Sequence, residues 1–147
     1  MAGEFQFSLQ RVLEYREQLE DQARLAMSRA QQAHELQQEK VAKIQSDLDR
    51  TDADLRNLKN PTVDEMWLYR EYKERLLQDL AEATSRLEEL AREVTLRRTE
   101  LIECSKERKL LEKLKQTQAQ DFAREQQSRE QKTFDETATL RHQDRDT

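Results

Sequence analysis

Leu58-Lys59-Asn60-Pro61-Thr62-Val63-Asp64-Glu65 is the stretch that decides how this chain folds. Proline has no amide hydrogen to donate, and it pushes the residue before it out of the α region. A helix running into Asn60-Pro61 therefore stops there. The residues after Pro61 start a new one. Thr62 is placed as an N-cap, with Glu65 three residues on in the spacing of a capping box. Asp64 and Glu65 also sit at the positive end of the new helix dipole. A stop, a short connection and a restart make a helical hairpin.

Working outward toward the C-terminus, one set of positions holds Met66, Lys73, Leu80, Leu87, Val94 and Leu101. The interleaved set holds Tyr69, Leu76, Ala83, Leu90, Arg97, Cys104 and Leu111. A heptad repeat sustained over about six heptads argues for a coiled coil. Toward the N-terminus the apolar series is Leu58, Leu55, Thr51, Leu48, Ile44 and Val41, then Ala33, Ala30, Ala26, Ala23, Leu19, Val12 and Leu9, broken by Arg16. The step from Ala33 through Gln37 to Val41 reads as a stutter, which locally unwinds a coiled coil. Ser8 is expected as the N-cap of this first helix, with Phe7 and Val12 as a hydrophobic staple. Glu-to-Arg pairs four apart support helix on the outer faces: Glu20–Arg24, Glu71–Arg75, Glu82–Arg86, Glu88–Arg92 and Glu93–Arg97.

Folded at Pro61, the two series face each other. Leu55 meets Tyr69, Leu48 meets Leu76, Ile44 meets Leu80, Ala30 meets Val94 and Ala23 meets Leu101. Small residues of the first helix thus oppose larger ones of the second. Arg16 falls opposite Arg108, which is unfavourable unless Glu17, Glu107 or Glu112 intervenes. Paired helices of this length would be roughly 75 Å long. The second helix outlasts the first: the partner of Ser8 falls at 114–117, leaving Phe122, Phe134, Ala138 and Leu140 without one. That remainder is either a fraying tail or a helix that docks on a partner, and Asp144–Thr147 is expected to be disordered. The expected fold is all-α, a single domain over 1–147. It is a long antiparallel two-helix coiled-coil hairpin with an overhanging C-terminal helix. Helix one is expected over about 8–58, the turn over 59–62 and helix two over about 63–142.

Composition agrees. The 147 residues include one Gly, one Pro and one Cys, with 39% charged and 35% hydrophobic residues. So little turn material excludes a β-rich fold, and a lone Gly3 cannot build a glycine-rich phosphate loop. The 26 basic and 31 acidic residues leave a formal charge of −5, without the net basic character of a nucleic-acid binder. No apolar run is long enough for a membrane span, and Met1–Phe7 lacks the features of a secretory signal. A cytoplasmic protein is therefore expected.

Catalytic chemistry is not in view. His34, His142 and Cys104 have no metal-ligand spacing, so no metal or cofactor is expected. His34 reads as a solvated surface residue. Cys104 reads as a small seam hydrophobe with no nearby base. A two-helix seam has no concavity to desolvate paired carboxylates, so the chain does not read as an enzyme. The aromatics are more informative. Of eight in the chain, Trp67, Tyr69 and Tyr72 fall together. Tyr69 has a seam position; Trp67, Leu68 and Tyr72 do not. Either they close over the turn, or they form a partner-binding patch of the kind that Trp and Tyr favour. Phe5 and Phe7 form a second aromatic pair at the other end.

These residues resemble a known family. Phe5-Gln6-Phe7-Ser8-Leu9-Gln10-Arg11-Val12-Leu13-Glu14-Tyr15-Arg16 is similar to the start of the FliJ family, small coiled-coil proteins of the flagellar type III export apparatus. Tyr69, Tyr72 and Leu76 after the turn resemble its central stretch. Leu111-Glu112-Lys113-Leu114-Lys115 and Glu130-Gln131-Lys132-Thr133-Phe134-Asp135-Glu136-Thr137-Ala138 resemble its ending. The resemblance implies an antiparallel coiled coil like the central gamma stalk of rotary ATP synthases. It implies binding to the hexameric export ATPase FliI, promoting its assembly and activity. It also implies contact with the cytoplasmic domain of the export gate FlhA and with export chaperones, at the cytoplasmic face of the membrane and without insertion. Carried over by spacing, the gate contact falls on Tyr69, Tyr72, Leu76 and Ala83, with Trp67 and Leu68 beside them. Where family members can carry Trp three residues before the first aromatic, this chain has Met66 and a shifted Trp67. By analogy with the rotary stalk, Phe5, Phe7, Phe122 and Phe134 would meet the ATPase. Two alternatives stand beside this reading: a general coiled-coil chaperone for export substrates, and a self-associating structural coiled coil.

Overall fold

The computed structural model describes residues 3–146. Two helices make up nearly all of it: α1, Gln10–Asn57, and α2, Val63–Asp146. Among the described residues there is no strand, and the fold is the all-α helical hairpin that the stop at Pro61 predicts.

The turn is built from two devices. Thr62 Oγ1 accepts a hydrogen bond from the Glu65 amide at 3.2 Å, and the Thr62 carbonyl accepts one from the Met66 amide at 3.1 Å. Thr62 is thus the N-cap of α2. On the other side, the Leu58 amide turns back to the Leu55 carbonyl at 3.4 Å, and Asn60 takes a left-handed φ of 49°. That region costs most L-residues about 1–2 kcal/mol, and Asn is among the few that visit it. With the lone glycine at position 3, the reversal falls to Asn60.

The described residues group into two compact units, 22–102 and 3–21 with 103–146. In the 22–102 unit, one run of covered positions is Ala23, Met27, Ala30, His34, Gln37, Val41, Ile44, Leu48, Thr51 and Leu55 on α1 with Leu58 just beyond it, and Ala26, Ala33, Asp47, Asp52 and Ala53 are half-covered beside this run. That run alternates four and three, while Ala33, Gln37 and Val41, the positions of the expected stutter, are covered as well. Polar His34 and Gln37 are covered in this stretch along with Ala33. His34 is accordingly half-buried and not a solvated surface residue. On α2 the covered series runs Tyr69, Lys73, Leu76, Leu80, Ala83, Leu87, Leu90, Val94, Arg97 and Leu101. Met66, expected to begin it, is exposed, because α1 has already ended opposite the first turn of α2.

Ala30, Leu48, Leu76 and Ala83 are the buried apolar side chains of this unit. Burying a leucine contributes about 1.5–3 kcal/mol. Polar seam residues are satisfied locally. Gln37 Nε2 donates to the Ala83 carbonyl oxygen at 2.9 Å, a reach across the seam that the small alanine leaves open. The buried Thr51 hydroxyl donates to the Asp47 carbonyl at 2.8 Å, and Lys73 pairs with Asp52 at 2.7 Å. Arg97 pairs with Glu93 at 2.9 Å and with Glu100 at 3.0 Å. Arg86 turns to Glu89 at 2.9 Å rather than to the expected Glu82.

In the other unit, residues 3–9 precede α1 in irregular conformation. The Phe7 carbonyl accepts from the Gln10 amide at 3.1 Å, and the Leu9 carbonyl accepts from the Leu13 amide at 2.9 Å. The N-cap position is therefore Leu9 and not Ser8: a tight backbone turn, instead of a side-chain hydroxyl, closes the helix start. Phe7 and Leu13 are buried while Val12 is exposed, so Val12 does not take the staple's role. Leu13, Arg16 and Glu20 face Ser105, Arg108 and their neighbours on α2. The expected clash of Arg16 with Arg108 is resolved by carboxylates. Arg16 pairs with Glu107. Arg108 pairs with Glu20 at 2.5 Å and with Glu112 at 2.6 Å, and Ser105 Oγ donates to Glu20 at 3.3 Å. Further along, Lys115 Nζ donates to the Gln10 side chain at 2.8 Å.

Packing does not end at 114–117. Residues 3–9 carry Phe5 to the Phe122 ring, with centroids 5.8 Å apart and planes tilted by 50°. The overhang starts later than expected: all described residues beyond Gln126 are exposed. There α2 continues as a polar helix in which the Thr133, Thr137 and Thr139 hydroxyls donate to the carbonyls four residues back. Asp144–Asp146, expected to be disordered, are helical, with His142 and Asp146 3.6 Å apart; Thr147 lies outside the described residues.

Candidate functional site

The first two turns of α2 carry the largest concentration of exposed apolar surface in the 22–102 unit. The Thr62 cap fixes where this helix begins, and so fixes which side each residue faces. Leu68, Tyr69 and Tyr72 share one face, at spacings of one, three and four, and with Glu65 they line a shallow apolar groove. Leu68 is 65% exposed and Tyr72 49% exposed, while Tyr69 is half-covered at the edge of the seam. Tyr69 thus joins the groove to the seam.

Trp67 is 61% exposed, yet it belongs to a different face. Successive helical residues are about 100° apart, so Trp67 turns away from Leu68. Its neighbour is Val63, four residues earlier and 84% exposed. Sequence reading used Val63 only as a spacer in the capping box and missed it here. The signal was available in its spacing from Trp67. The alternative that these aromatics fold over the turn and shield it does not hold, since Trp67, Leu68 and Tyr72 all stand in solvent.

The remaining residues assigned to the gate contact lie elsewhere. Leu76 and Ala83 are buried in the seam. They floor a separate polar-rimmed groove with Gln37 and Ile44, bordered by Lys40, Asp47, Asp79 and Arg86. Of the phenylalanines assigned to the ATPase, Phe7 is buried, and Phe5 and Phe122 are half-buried against each other. Phe134 is 71% exposed on the overhang. Cys104 is a half-buried free thiol.

Electrostatics in both units serve structure. Arg108 is held above the ordinary arginine range by its hydrogen bonds to Glu20 first and Glu112 second. Arg97 is raised likewise by Glu100 and then Glu93. Both stay charged at any physiological pH. Among the described residues no group of His, Cys, Asp and Glu could hold a metal ion, and no helix is long and apolar enough to cross a membrane.

No curated protein and no solved structure matches the chain. A family model does, that of the flagellar FliJ protein, over residues 5–147. A match of that extent covers the seam, the turn, the aromatic cluster and the overhang, and it agrees with the resemblance carried by the two ends of the sequence. The chain belongs to the flagellar FliJ protein family, components of the flagellar export apparatus.

Proposed function

We propose that this chain is a non-enzymatic, stalk-like coupling factor of flagellar protein export. It binds the hexameric export ATPase FliI, promotes its assembly and activity, and contacts the cytoplasmic domain of the export gate FlhA and export chaperones. It acts in the cytoplasm, peripherally at the membrane. The observation that carries this reading is the groove of exposed Leu68 and Tyr72 with half-covered Tyr69 just after the turn, where family resemblance puts the gate contact. Leu68 and Tyr72 stand outside the seam and have no packing role in it, and Tyr and Trp are among the side chains enriched at binding hot spots. Leu76 and Ala83 are buried in the seam and line a separate groove, so the proposed gate contact centres on Leu68, Tyr69 and Tyr72.

The test is ATP hydrolysis by the export ATPase of the same organism, with and without the chain, together with capture of the FlhA cytoplasmic domain. Stimulated hydrolysis, and gate capture that is lost in a Leu68→Ala/Tyr72→Ala variant, are the expected results. Unchanged hydrolysis with no co-purification of the ATPase would overturn the reading.

A further inference from the structure

Two sets of basic residues stand out in the 3–21 and 103–146 unit. Those facing the seam are neutralised or tied within the fold: Arg16 by Glu107, Arg108 by Glu20 and Glu112, and Lys115 by the Gln10 side chain. Those on the opposite side of α2 are not. Lys106, Lys109, Leu110 and Lys113 follow one another at helical spacings of three, four and seven, and Arg124 extends the same line after Thr117 and Gln120. Lys106, Lys109, Leu110, Lys113 and Arg124 are all exposed, and no Asp or Glu stands on this line from Lys106 to Arg124. Lys106 has only a loose, solvent-exposed pairing with Glu103 at 3.6 Å, and Arg124 one with Asp121 at 3.9 Å. Lys109 and Lys113 form no ion pair among the described residues. Leu110, 68% exposed, lies between them.

We infer that this basic ridge is a docking surface for a protein partner that presents a row of carboxylates. Unpaired lysines outside a seam add nothing to the packing of the hairpin. Mutual repulsion at short helical spacing even opposes it. An acidic partner relieves that repulsion, speeds encounter and fixes orientation. Leu110 supplies an apolar contact at the middle of the row. The ridge is one residue wide, with Glu103 and Glu107 along one side and Glu112 along the other. A flat anionic membrane would meet those carboxylates as well as the lysines, in a chain whose formal charge is −5. A narrow acidic ridge or helix edge meets the lysines alone. Membrane recognition by basic helices relies on denser clusters than this. The inference rests on the stalk reading for the partner's identity, since the export ATPase is the partner proposed for this unit. It differs in the contact surface: Phe5, Phe7 and Phe122 pack internally, and the lysine ridge is an exposed surface of this unit distinct from Phe134 on the overhang.

The experiment measures affinity of the full chain for the purified export ATPase at several NaCl concentrations. It compares wild type, Lys106→Gln/Lys109→Gln/Lys113→Gln, and a control of equal charge change, Lys40→Gln/Lys43→Gln/Lys59→Gln. Circular dichroism checks that all three stay helical. The ridge variant is expected to bind at least tenfold more weakly and to show a shallower salt dependence, with the control unchanged. Equal affinity of wild type and ridge variant, or an equal loss in the control, overturns the ridge while leaving the stalk reading intact. A wild type that does not bind the ATPase at all overturns the stalk reading and the ridge's partner with it. Sedimentation with vesicles rich in anionic lipid is the remaining arm. Binding there that the ridge substitutions abolish would overturn the assignment to a protein surface.

Discussion

Glu20 Oε2 lies 2.5 Å from Nε of Arg108, at a position where Glu20 is 4% exposed. Arg108 and Ser105 both reach this enclosed carboxylate. Removing one partner of a buried pair costs about 3–5 kcal/mol, whereas replacing both with apolar residues is often close to neutral. Arg108→Leu should therefore destabilise strongly, because it takes the guanidinium from both Glu20 and Glu112. Glu20→Leu/Arg108→Leu should recover most of the loss. Urea denaturation followed by circular dichroism measures both. Because the pKa of Arg108 is raised in the folded chain, its contribution is fully present below the ordinary arginine range and is lost only as pH rises through the folded value. The gap between wild type and Arg108→Leu should thus stay constant from about pH 7 to about pH 10. A gap that closes across that span would contradict the assignment.

The turn makes a prediction of opposite signs at neighbouring residues. Asn60 holds φ at 49°, so Asn60→Gly should be neutral or mildly stabilising, and Asn60→Val should cost about 1–2 kcal/mol. Thr62→Ala removes the hydroxyl that accepts from the Glu65 amide, and should cost about 1 kcal/mol. Thermal midpoints of the three variants order them. An Asn60→Val chain as stable as wild type would mean that the reversal is made elsewhere.

At the start of α1, sequence and structure part over a single residue. The alternation that includes Val12 is legible in the letters, but the chain buries Leu13 and leaves Val12 in solvent. Leu19 beside Glu20 shows the same one-position offset, with Glu20 buried and Leu19 half-covered. In both cases an apolar letter stands one position before the buried residue, and a longer side chain occupies the seam. Hydrophobic letters alone cannot separate a seam position from its flank when the seam tolerates polar side chains. What makes Glu20 tolerable is Arg108, far away in sequence, and no local pattern carries that information. The hairpin, the Thr62 cap and the α2 heptads were legible because each rests on local chemistry or on a long unbroken repeat. Leu13→Ala should accordingly cost about 2–4 kcal/mol, as a large-to-small change at a buried site, and Val12→Ala within about 0.5 kcal/mol of nothing. Equal losses at the two sites, in the same denaturation assay, would restore the letter-based alternation.

Phe5 and Phe122 test whether the segment ahead of α1 is part of the fold. Their rings are 5.8 Å apart and tilted, an arrangement worth about 0.5–1.5 kcal/mol beyond the area it buries. A double-mutant cycle of Phe5→Leu and Phe122→Leu should return a coupling in that range. Proteolysis of the segment ahead of α1 should also be faster in either single variant. Additive effects would mean that Phe5 does not dock on α2.

The groove after the turn separates binding from stability more sharply than any other site in the chain. Leu68 and Tyr72 are exposed, so Leu68→Ala/Tyr72→Ala should leave the stability within about 0.5 kcal/mol of wild type. Leu76 is buried in the seam, so Leu76→Ala should cost about 2–4 kcal/mol. If the exposed pair carries the gate contact, capture of the FlhA cytoplasmic domain should fall at least tenfold in the stable double variant. Loss of binding in Leu76→Ala should instead track unfolding and recover when the assay is cooled or the chain is stabilised elsewhere. Trp67→Ala provides the internal comparison, because it removes a comparably exposed aromatic from a different face of the same two turns. A gate contact on the Tyr69–Tyr72 face predicts that Trp67→Ala binds as wild type does. Loss with Trp67→Ala and none with Leu68→Ala/Tyr72→Ala would move the contact to the Val63–Trp67 face.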